Sequence, residues 1–171
     1  MTSDGYYGYA GSETDPSDSP ATLVQFRLQD LTIVKTMLLA ADELYPKVAV
    51  TNGEYVIFGL HTKPGKLLQF QIPAFTQVGQ TINLVPGDNF VDCASSDVDF
   101  AYFGLNVAPG VIIKTSFADA RDLNAEYSPS NFGHIVIAGR YSLTDSNFVA
   151  MSADADFLYV VTAQQGATIS S

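Results

Sequence analysis

The sequence contains an internal repeat of 45 residues, and this period limits the possible folds more than any other feature. A Phe-Gly-Leu segment at Phe58–Leu60 is followed by Pro64-Gly65, and a second one at Phe103–Leu105 is followed by Pro109-Gly110. Apolar positions match at the same offset, without a gap, between about residues 42 and 127. Such a period predicts supersecondary units that stack on one another, because one unit alone cannot bury its apolar face.

Two weaker copies flank the central pair. Leu23–Leu28 matches Leu67–Ile72 at an offset of 44, and Asp154–Tyr159 matches Asp97–Tyr102 at an offset of 57. The second offset is 12 residues longer than 45, which indicates an insertion near 128–140. We therefore expect one repeat-built β domain over 1–171, with units at approximately 5–52, 53–97, 98–154 and, incomplete, 155–171.

Each unit has the sequence pattern of four short antiparallel strands. The second unit provides the clearest case, with strands predicted at Tyr55–Phe58, Lys66–Ile72 and Phe75–Leu84 and the next one at Phe90–Ser95. Their apolar side chains recur with period two, and Pro and Gly mark the turns between them. Four strands in about 45 residues predict a β-propeller blade, so the chain would hold roughly four blades. A β-sandwich is the alternative, although a sandwich does not require a fixed period.

Two motifs resemble known repeats. The segment Asp154–Thr162 resembles the repeats of YVTN/NHL-type propellers. The Phe-Gly-Leu…Pro-Gly unit is similar to tandem repeats of large surface and fibre proteins, including the mastigoneme-like proteins of stramenopile algae. These resemblances imply a propeller architecture and an extracellular or cell-surface setting, and they bring no catalytic residues to this chain.

The predicted strands do not complete a ring. The chain opens at the second strand of a blade, Tyr6–Gly11, and ends in a third strand at Ala167–Ser171. On this count the first blade lacks its inner strand and the last blade its outer one. Unpaired strand edges are templates for further pairing. We therefore expect self-association, or contact with missing parts of a longer chain, at Tyr6–Gly11 and Gly166–Ser171.

Composition argues against two classes of partner. The chain has 8 Lys plus Arg against 18 Asp plus Glu, a formal net charge of −10. Binding to nucleic acid or to anionic lipid needs clustered cations, so both are disfavoured. No apolar run approaches the ~20 residues that cross a bilayer. We expect no nucleic-acid partner and no membrane span.

Candidate metal ligands are few. Two carboxylate pairs, Asp97 with Asp99 and Asp154 with Asp156, occupy equivalent places and are weak candidates for Ca²⁺. A Ca²⁺ site would need more oxygen ligands. The favoured interpretation is that these side chains accept backbone hydrogen bonds in a hairpin. We therefore expect no resident metal and no cofactor.

Catalytic groups are equally sparse. His61 precedes a turn and His134 lies in the insertion, and each is interpreted as a structural or exposed histidine. Cys93, the one cysteine, lies among apolar residues and is interpreted as a packed thiol rather than a nucleophile. The sequence has no Gly-x-Ser-x-Gly elbow. We expect no catalytic residue.

One segment, 11–22, is rich in Ser, Thr and Pro and has no large apolar residue. It fits a solvated hairpin loop, and it also fits an O-glycosylated surface patch. The candidate glycosylation sites are Ser12, Thr14, Ser17, Ser19 and Thr22.

Two functions are compatible with this pattern. The first is a non-enzymatic structural or interaction module, acidic and extracellular, that self-associates in a scaffold or fibre. The alternative is a propeller that binds a ligand or glycan, or hydrolyses it, at the mouth of its channel. Repeat regularity and the sparse polar clusters favour the first.

The repeat also predicts the core. We expect burial between blades for Tyr55, Ile57, Leu68, Phe70, Ala94, Phe100, Tyr102, Ile113 and Tyr159. Gly59 and Gly104 recur at equal places within strands, where glycine weakens a strand unless a neighbour packs closely. Both are therefore predicted to lie at close contacts.

Overall fold

A computed structural model describes residues 1–12, 20–117, 136–142, 147–154 and 156–163. These residues form antiparallel β-sheets, which confirms the all-β prediction. No helix in the described ranges is long and apolar enough to cross a membrane.

The strands form four sheets that follow one another along the chain. Sheet 1 consists of β1 (Thr2–Ser3), β2 (Tyr7–Ser12), β3 (Thr22–Arg27) and β4 (Ile33–Leu38). Sheet 2 consists of β5 (Pro46–Thr51), β6 (Tyr55–Leu60), β7 (Lys66–Gln71), β8 (Thr76–Gln77) and β9 (Ile82–Asn83). Sheet 3 consists of β10 (Val91–Ser96), β11 (Phe100–Leu105), β12 (Val111–Ser116) and β13 (Val136–Ser142). Sheet 4 consists of β14 (Asn147–Ala153) and β15 (Leu158–Ala163).

The 45-residue period of the sequence is repeated in the strand register. Strands β5, β6 and β7 recur 45 residues later as β10, β11 and β12. A bulge between Pro46 and Val48 recurs between Val91 and Cys93. The residues just before these strands, Tyr45 and Phe90, both have positive φ, of 54° and 58°. Equal sequence spacing therefore produces equal backbone geometry.

Consecutive sheets pack through their first strands. Strand β1 contacts β5, β5 contacts β10, and β10 contacts β14. An apolar cluster lies at each junction. Between sheets 1 and 2 it includes Tyr9, Leu23, Phe58, Leu68, Phe70 and Phe75. Between sheets 2 and 3 it includes Ile57, Leu67, Val91, Phe103, Leu105 and Ile113. Between sheets 3 and 4, Cys93 and Ile112 pack with Met151, Leu158 and Val160.

Strand β6 shows how one sheet serves two junctions. Successive side chains of a strand point to opposite faces. Val56, Phe58 and Leu60 join the cluster with sheet 1, whereas Ile57 joins the cluster with sheet 3. A strand that is buried on both faces reads as a continuous apolar run, which is the pattern of Tyr55–Leu60.

The core prediction is confirmed at four positions and wrong at one. Ile57, Leu68, Phe70 and Ile113 are at most 1% exposed. Four other residues that were predicted to be core are only partly buried: Tyr55, Ala94, Phe100 and Tyr102. Tyr159 was expected to be buried but is 56% exposed, because no sheet of the described residues packs on its face.

The strand count differs from the sequence prediction in sheets 1 and 2. Sheet 1 begins with the two-residue strand β1, which pairs with β2, so the expectation that the first blade lacks its inner strand is wrong. The predicted long strand Phe75–Leu84 is instead two short strands, β8 and β9, which both pair with β7. Phe75 has φ of 48°, which is a turn conformation.

Two other expectations fall largely outside the described residues. The end of the proposed insertion, 136–140, forms the start of β13, and 128–135 are not described. The predicted contact segment Gly166–Ser171 is likewise outside the described residues.

An ion pair links the last strand of sheet 3 to the turn between β9 and β10. The Arg140 guanidinium donates to both carboxylate oxygens of Asp88, at 2.7 Å to Oδ1 and 2.9 Å to Oδ2. Asp88 is 2% exposed. Bidentate geometry of this kind is well suited to a buried carboxylate.

Replacing Phe70 tests the first junction. Its ring is fully buried, with ring centroids 5.8 Å from Phe58 and 5.0 Å from Phe75. We expect Phe70→Ala to lower the free energy of unfolding by about 3–5 kcal/mol, because it leaves a cavity. Chemical denaturation gives the value. Val98→Ala is the control, since Val98 is 79% exposed and should change stability by less than about 0.5 kcal/mol. Equal effects of the two changes would contradict the assigned register.

Replacing Gly59 tests the close contact between sheets 2 and 3. A Cβ on Gly59 would lie 2.5 Å from Val91 Cγ1 and 2.8 Å from Val48 Cγ2. This confirms the close-contact prediction for Gly59. We expect Gly59→Val to cost about 1–3 kcal/mol through overpacking, and the same for Gly104→Val. Thermal denaturation measures both. Adding Val91→Ala to a Gly59→Ala chain should recover part of its loss, and failure to do so would place the strain elsewhere.

Candidate functional site

An Asp or Asn side chain closes the hairpin between the first and second strands of every sheet. The four residues are Asp4, Asn52, Asp97 and Asp154. In each, Oδ1 accepts hydrogen bonds from the backbone N–H groups two and three residues later. For Asp97 these donors are Asp99 and Phe100, at 2.8 and 2.7 Å. This is the hairpin role favoured from the sequence.

The second carboxylate oxygen receives a tyrosine hydroxyl. Tyr9 donates to Asp4 Oδ2 at 2.6 Å, Tyr102 to Asp97 Oδ2 at 2.8 Å, and Tyr159 to Asp154 Oδ2 at 3.1 Å. A buried phenol needs such an acceptor. Sheet 2 differs, because Asn52 replaces the aspartate and the apolar Ile57 replaces the tyrosine. A tyrosine thus occurs where an aspartate closes the hairpin, and an aliphatic side chain occurs where an asparagine closes it.

The weak Ca²⁺ candidates are explained by these contacts. Asp97 and Asp154 use both carboxylate oxygens within their own hairpins. Asp99 and Asp156 supply backbone N–H donors to them. In the described ranges, no group of three or more His, Cys, Asp or Glu is placed to hold a metal ion.

The hydrogen bonds change the acidity of both partners. Burial would raise the pKa of Asp4, but hydrogen bonds from the Tyr7 amide, the Tyr9 hydroxyl and the Tyr6 amide outweigh it, so the pKa lies below 3.8. Burial and then the Asp4 hydrogen bond raise the pKa of Tyr9. Burial and then the Asp97 hydrogen bond raise the pKa of Tyr102 to about 12. Near pH 7, Asp4 is therefore charged and both phenols are neutral.

Asp4 also allows a test by pH. Asp4→Asn keeps an oxygen for the Tyr6 and Tyr7 amides, as Asn52 does, but removes the charged acceptor of the Tyr9 hydroxyl. We expect a loss of about 1 kcal/mol at pH 7, since solvent screens a partly exposed group. The pKa of Asp4 is lowered on folding. Its contribution is therefore present above the unfolded-state pKa and is lost as pH falls through the folded-state pKa.

The stability gap between wild type and Asp4→Asn should accordingly close in acid. Urea denaturation at several pH values measures the gap. Tyr9→Phe, made in both backgrounds, isolates the coupling between the two side chains. A gap that stays constant with pH would show that the charge of Asp4 is not involved.

Of the two histidines, the structure describes only His61. The His61 ring stacks on Phe90 at 4.8 Å, and its Nδ1 lies 3.6 Å from Asp92 Oδ1, beyond a hydrogen bond. Tyr45 adjoins this group, because its carbonyl accepts the His61 backbone N–H at 2.9 Å. His134 lies outside the described residues.

Cys93 and Ser12 have clear local settings. Cys93 is 8% exposed, and burial, followed by the charge of Asp92, raises the pKa of its thiol to about 11. It is a packed thiol, as expected. Ser12 Oγ accepts the Thr22 N–H at 3.2 Å, and Ser12 is exposed. The other glycosylation candidates Thr14, Ser17 and Ser19 lie outside the described residues, and glycosylation remains a prediction.

The outer face of sheet 4 exposes a row of large apolar side chains. Phe157, Tyr159 and Val161 alternate along it and are 66%, 56% and 58% exposed. Their neighbours Leu158 and Val160 point the other way, into the junction with sheet 3. We call the exposed set the C-terminal face. The residues that correspond to Tyr159 in sheets 1 and 2, Tyr9 and Ile57, are 0% exposed because the next sheet covers them.

A second apolar face lies at the other end of the array. Leu28, Leu31, Val34 and Leu38 of sheet 1 are 37%, 70%, 47% and 69% exposed. We call this set the N-terminal face. Leu31 corresponds to Phe75 of sheet 2, and both have positive φ. Phe75 is 0% exposed because it packs on Tyr9 of sheet 1.

Sequence reasoning missed both faces and the Asp4–Tyr9 pair. The segment Asp4–Tyr9 matches Asp97–Tyr102 at the positions of the acid and the phenol, so that pair could have been found. The exposure of Tyr159 could not have been found, because the residues around it have the pattern of a buried strand.

Comparisons support the fold but not a family. The chain matches no protein-family model and no curated protein sequence. Among solved structures, it is similar to a chain of the Kuenenia stuttgartiensis hydrazine synthase, with a TM-score of 0.65 and 10% sequence identity. The similarity covers 95% of this chain and 57% of that chain, so this chain spans less than two thirds of its structural neighbour.

Proposed function

We propose that this chain is a non-enzymatic structural and interaction module that works by packing further β-sheets on its two end faces. The observation that carries the proposal is Tyr159, which is 56% exposed at a position where Tyr9 and Ile57 are fully buried by the following sheet. Sheet 4 thus exposes a face that, in sheets 1 to 3, packs against the following sheet. Contiguous exposed apolar side chains mark interaction surfaces.

The proposal includes the architecture. We interpret each sheet as a blade of a β-propeller-type array, with its strands running in order from the inside outwards. Contacts of β5 with β1 and of β10 with both β5 and β14 support this interpretation. So does the sequential strand order within sheets 1 and 3. In such an array, an end face is completed by another blade.

The partner would be another copy of this chain or further blades of a longer polypeptide. An apolar face that becomes buried gains roughly 25 cal/mol per Å². A net charge of −10 opposes unspecific contact between copies. An acidic module of this kind fits an extracellular or cell-surface scaffold or fibre, with glycosylation in the segment 11–22.

One local cluster supports the second candidate, a ligand- or glycan-binding propeller, including a hydrolytic one. Phe90 and His61 stack beside the carboxylate of Asp92, and Tyr45 is bonded to His61 through the backbone. Aromatic side chains next to a carboxylate are suited to a sugar face and its hydroxyls. NMR titration with neutral oligosaccharides would favour this candidate if the His61 ring signals shift.

The interaction module is tested by the mass of the native protein. We expect sedimentation equilibrium to give masses above the 18.4 kDa of one chain. The mass should increase with salt, because the Debye length falls from about 30 Å at 0.01 M to about 3 Å at 1 M and screens the acidic surfaces.

Replacing the C-terminal face should remove this association. We expect Phe157→Ser/Tyr159→Ser to lower the association constant at least about tenfold, which corresponds to ~1.4 kcal/mol. Val85→Ser is the control, because Val85 is 56% exposed but lies in a turn away from both faces. A single-chain mass at all salt concentrations would refute self-association, and equal loss in the control would refute the assigned surface.

A further inference from the structure

The two end faces belong to two complementary kinds. At each junction, the sheet that comes first contributes the face that carries Tyr9, Ile57 or Tyr102, and the following sheet contributes the opposite face. The C-terminal face, with Tyr159, is of the first kind. The N-terminal face, with Leu31, is of the second kind. Since neither kind packs against itself at these junctions, contact between two identical faces is disfavoured.

The first junction shows which side chains would meet. In it, the Phe75 ring of sheet 2 packs on the Tyr9 ring of sheet 1, with centroids 5.6 Å apart. Leu31 has the position and positive φ of Phe75, and Tyr159 has the position of Tyr9. By analogy, Leu31 of one copy would pack on the Tyr159 ring of another.

A polar contact at the third junction extends the same match. Ser95 Oγ of sheet 3 accepts the backbone N–H of Ala153 in sheet 4, at 2.8 Å. Ser152, 57 residues after Ser95, places a hydroxyl at the same point of sheet 4 and is exposed. The position of Ala153 corresponds to Ser3 in β1, since Ala153 pairs with Leu158 and Ser3 with Gly8. If sheet 1 of a second copy packs on sheet 4, the Ser3 backbone N–H would therefore lie near the Ser152 hydroxyl.

We propose that the C-terminal face of one copy binds the N-terminal face of a second copy, with Leu31 on Tyr159 and the Ser3 N–H on Ser152 Oγ. This inference rests on the proposed interaction function and names its partner and orientation. The contact is heterologous, so every pair retains one free face of each kind. Further copies then add to either end until the array closes into a ring or continues as a filament.

Two variants that each lack one face test the orientation. The C-face variant is Phe157→Ser/Tyr159→Ser. The N-face variant is Leu31→Asn/Leu38→Ser, because Asn tolerates the positive φ of 58° at Leu31. Wild type should form species that grow with concentration. Each variant alone should remain monomeric, since it lacks one of the two complementary faces.

Mixing the two variants gives the decisive result. Each supplies the face that the other lacks, so an equimolar mixture should form one-to-one dimers and nothing larger. Isotope labelling of one variant, with native mass spectrometry, identifies the mixed dimer. Restored dimerisation also shows that both variants are folded. As a second measurement, Ser152→Ala in the N-face variant should weaken the mixed dimer a fewfold.

The outcomes separate this inference from the proposal on which it rests. If wild type associates but the mixture stays monomeric, the head-to-tail pairing is wrong while the interaction function stands. If either variant alone associates as wild type does, the two faces do not meet. If wild type is monomeric even at 1 M salt, a second copy is not the occupant and self-association fails with it.

Discussion

Every sheet of this protein depends on having a neighbour. Strands β6 and β7 carry buried apolar side chains on both faces, so sheet 2 needs sheets 1 and 3 to cover them. Burial of apolar side chains, the dominant favourable contribution to folding, therefore takes place at the junctions between sheets. Phe70 and Phe103 occupy the centres of two such junctions. The exposed end faces follow directly, since an array of two-sided sheets always has two outer faces unless it closes.

The hairpin contact of Asp or Asn prepares each sheet for this packing. The side chain fixes the turn between the first two strands, and three of the four then hold a tyrosine by its hydroxyl. That tyrosine lies on the face that meets the next sheet. Tyr9 and Tyr102 can therefore be buried without leaving a phenol unpaired, which would otherwise cost free energy. A local turn thus positions the residue on which the next junction is built.

Much of this could be predicted from sequence, because the repeat is explicit. The 45-residue repeat predicted strands that match β6, β7 and β10, and period-two alternation identified Ile57 and Phe70 as core. Strand β1 was not predicted because its two residues are too few to show an alternation of apolar and polar side chains. The predicted burial of Tyr159 is wrong because sequence periodicity shows only which face of the strand a residue lies on. Whether that residue is exposed depends on whether another sheet covers the face. The end faces are thus properties of the array and not of any single repeat.

Sheet 2 differs from its neighbours in one chemical respect. Its hairpin is closed by the amide of Asn52, and Ile57 takes the place of the tyrosine, whereas the other three hairpins each use a carboxylate. An amide does not titrate, whereas the carboxylates of Asp4 in sheet 1 and Asp154 in sheet 4, whose pKa values lie below the ordinary value, lose their charge in strong acid. Strong acid therefore weakens the hairpins of the two outermost sheets, 1 and 4, while the side chain that closes the hairpin of sheet 2 keeps its charge state. In a scaffold of such units, the two sheets that carry the end faces would lose a hairpin contact in acid that sheet 2 keeps.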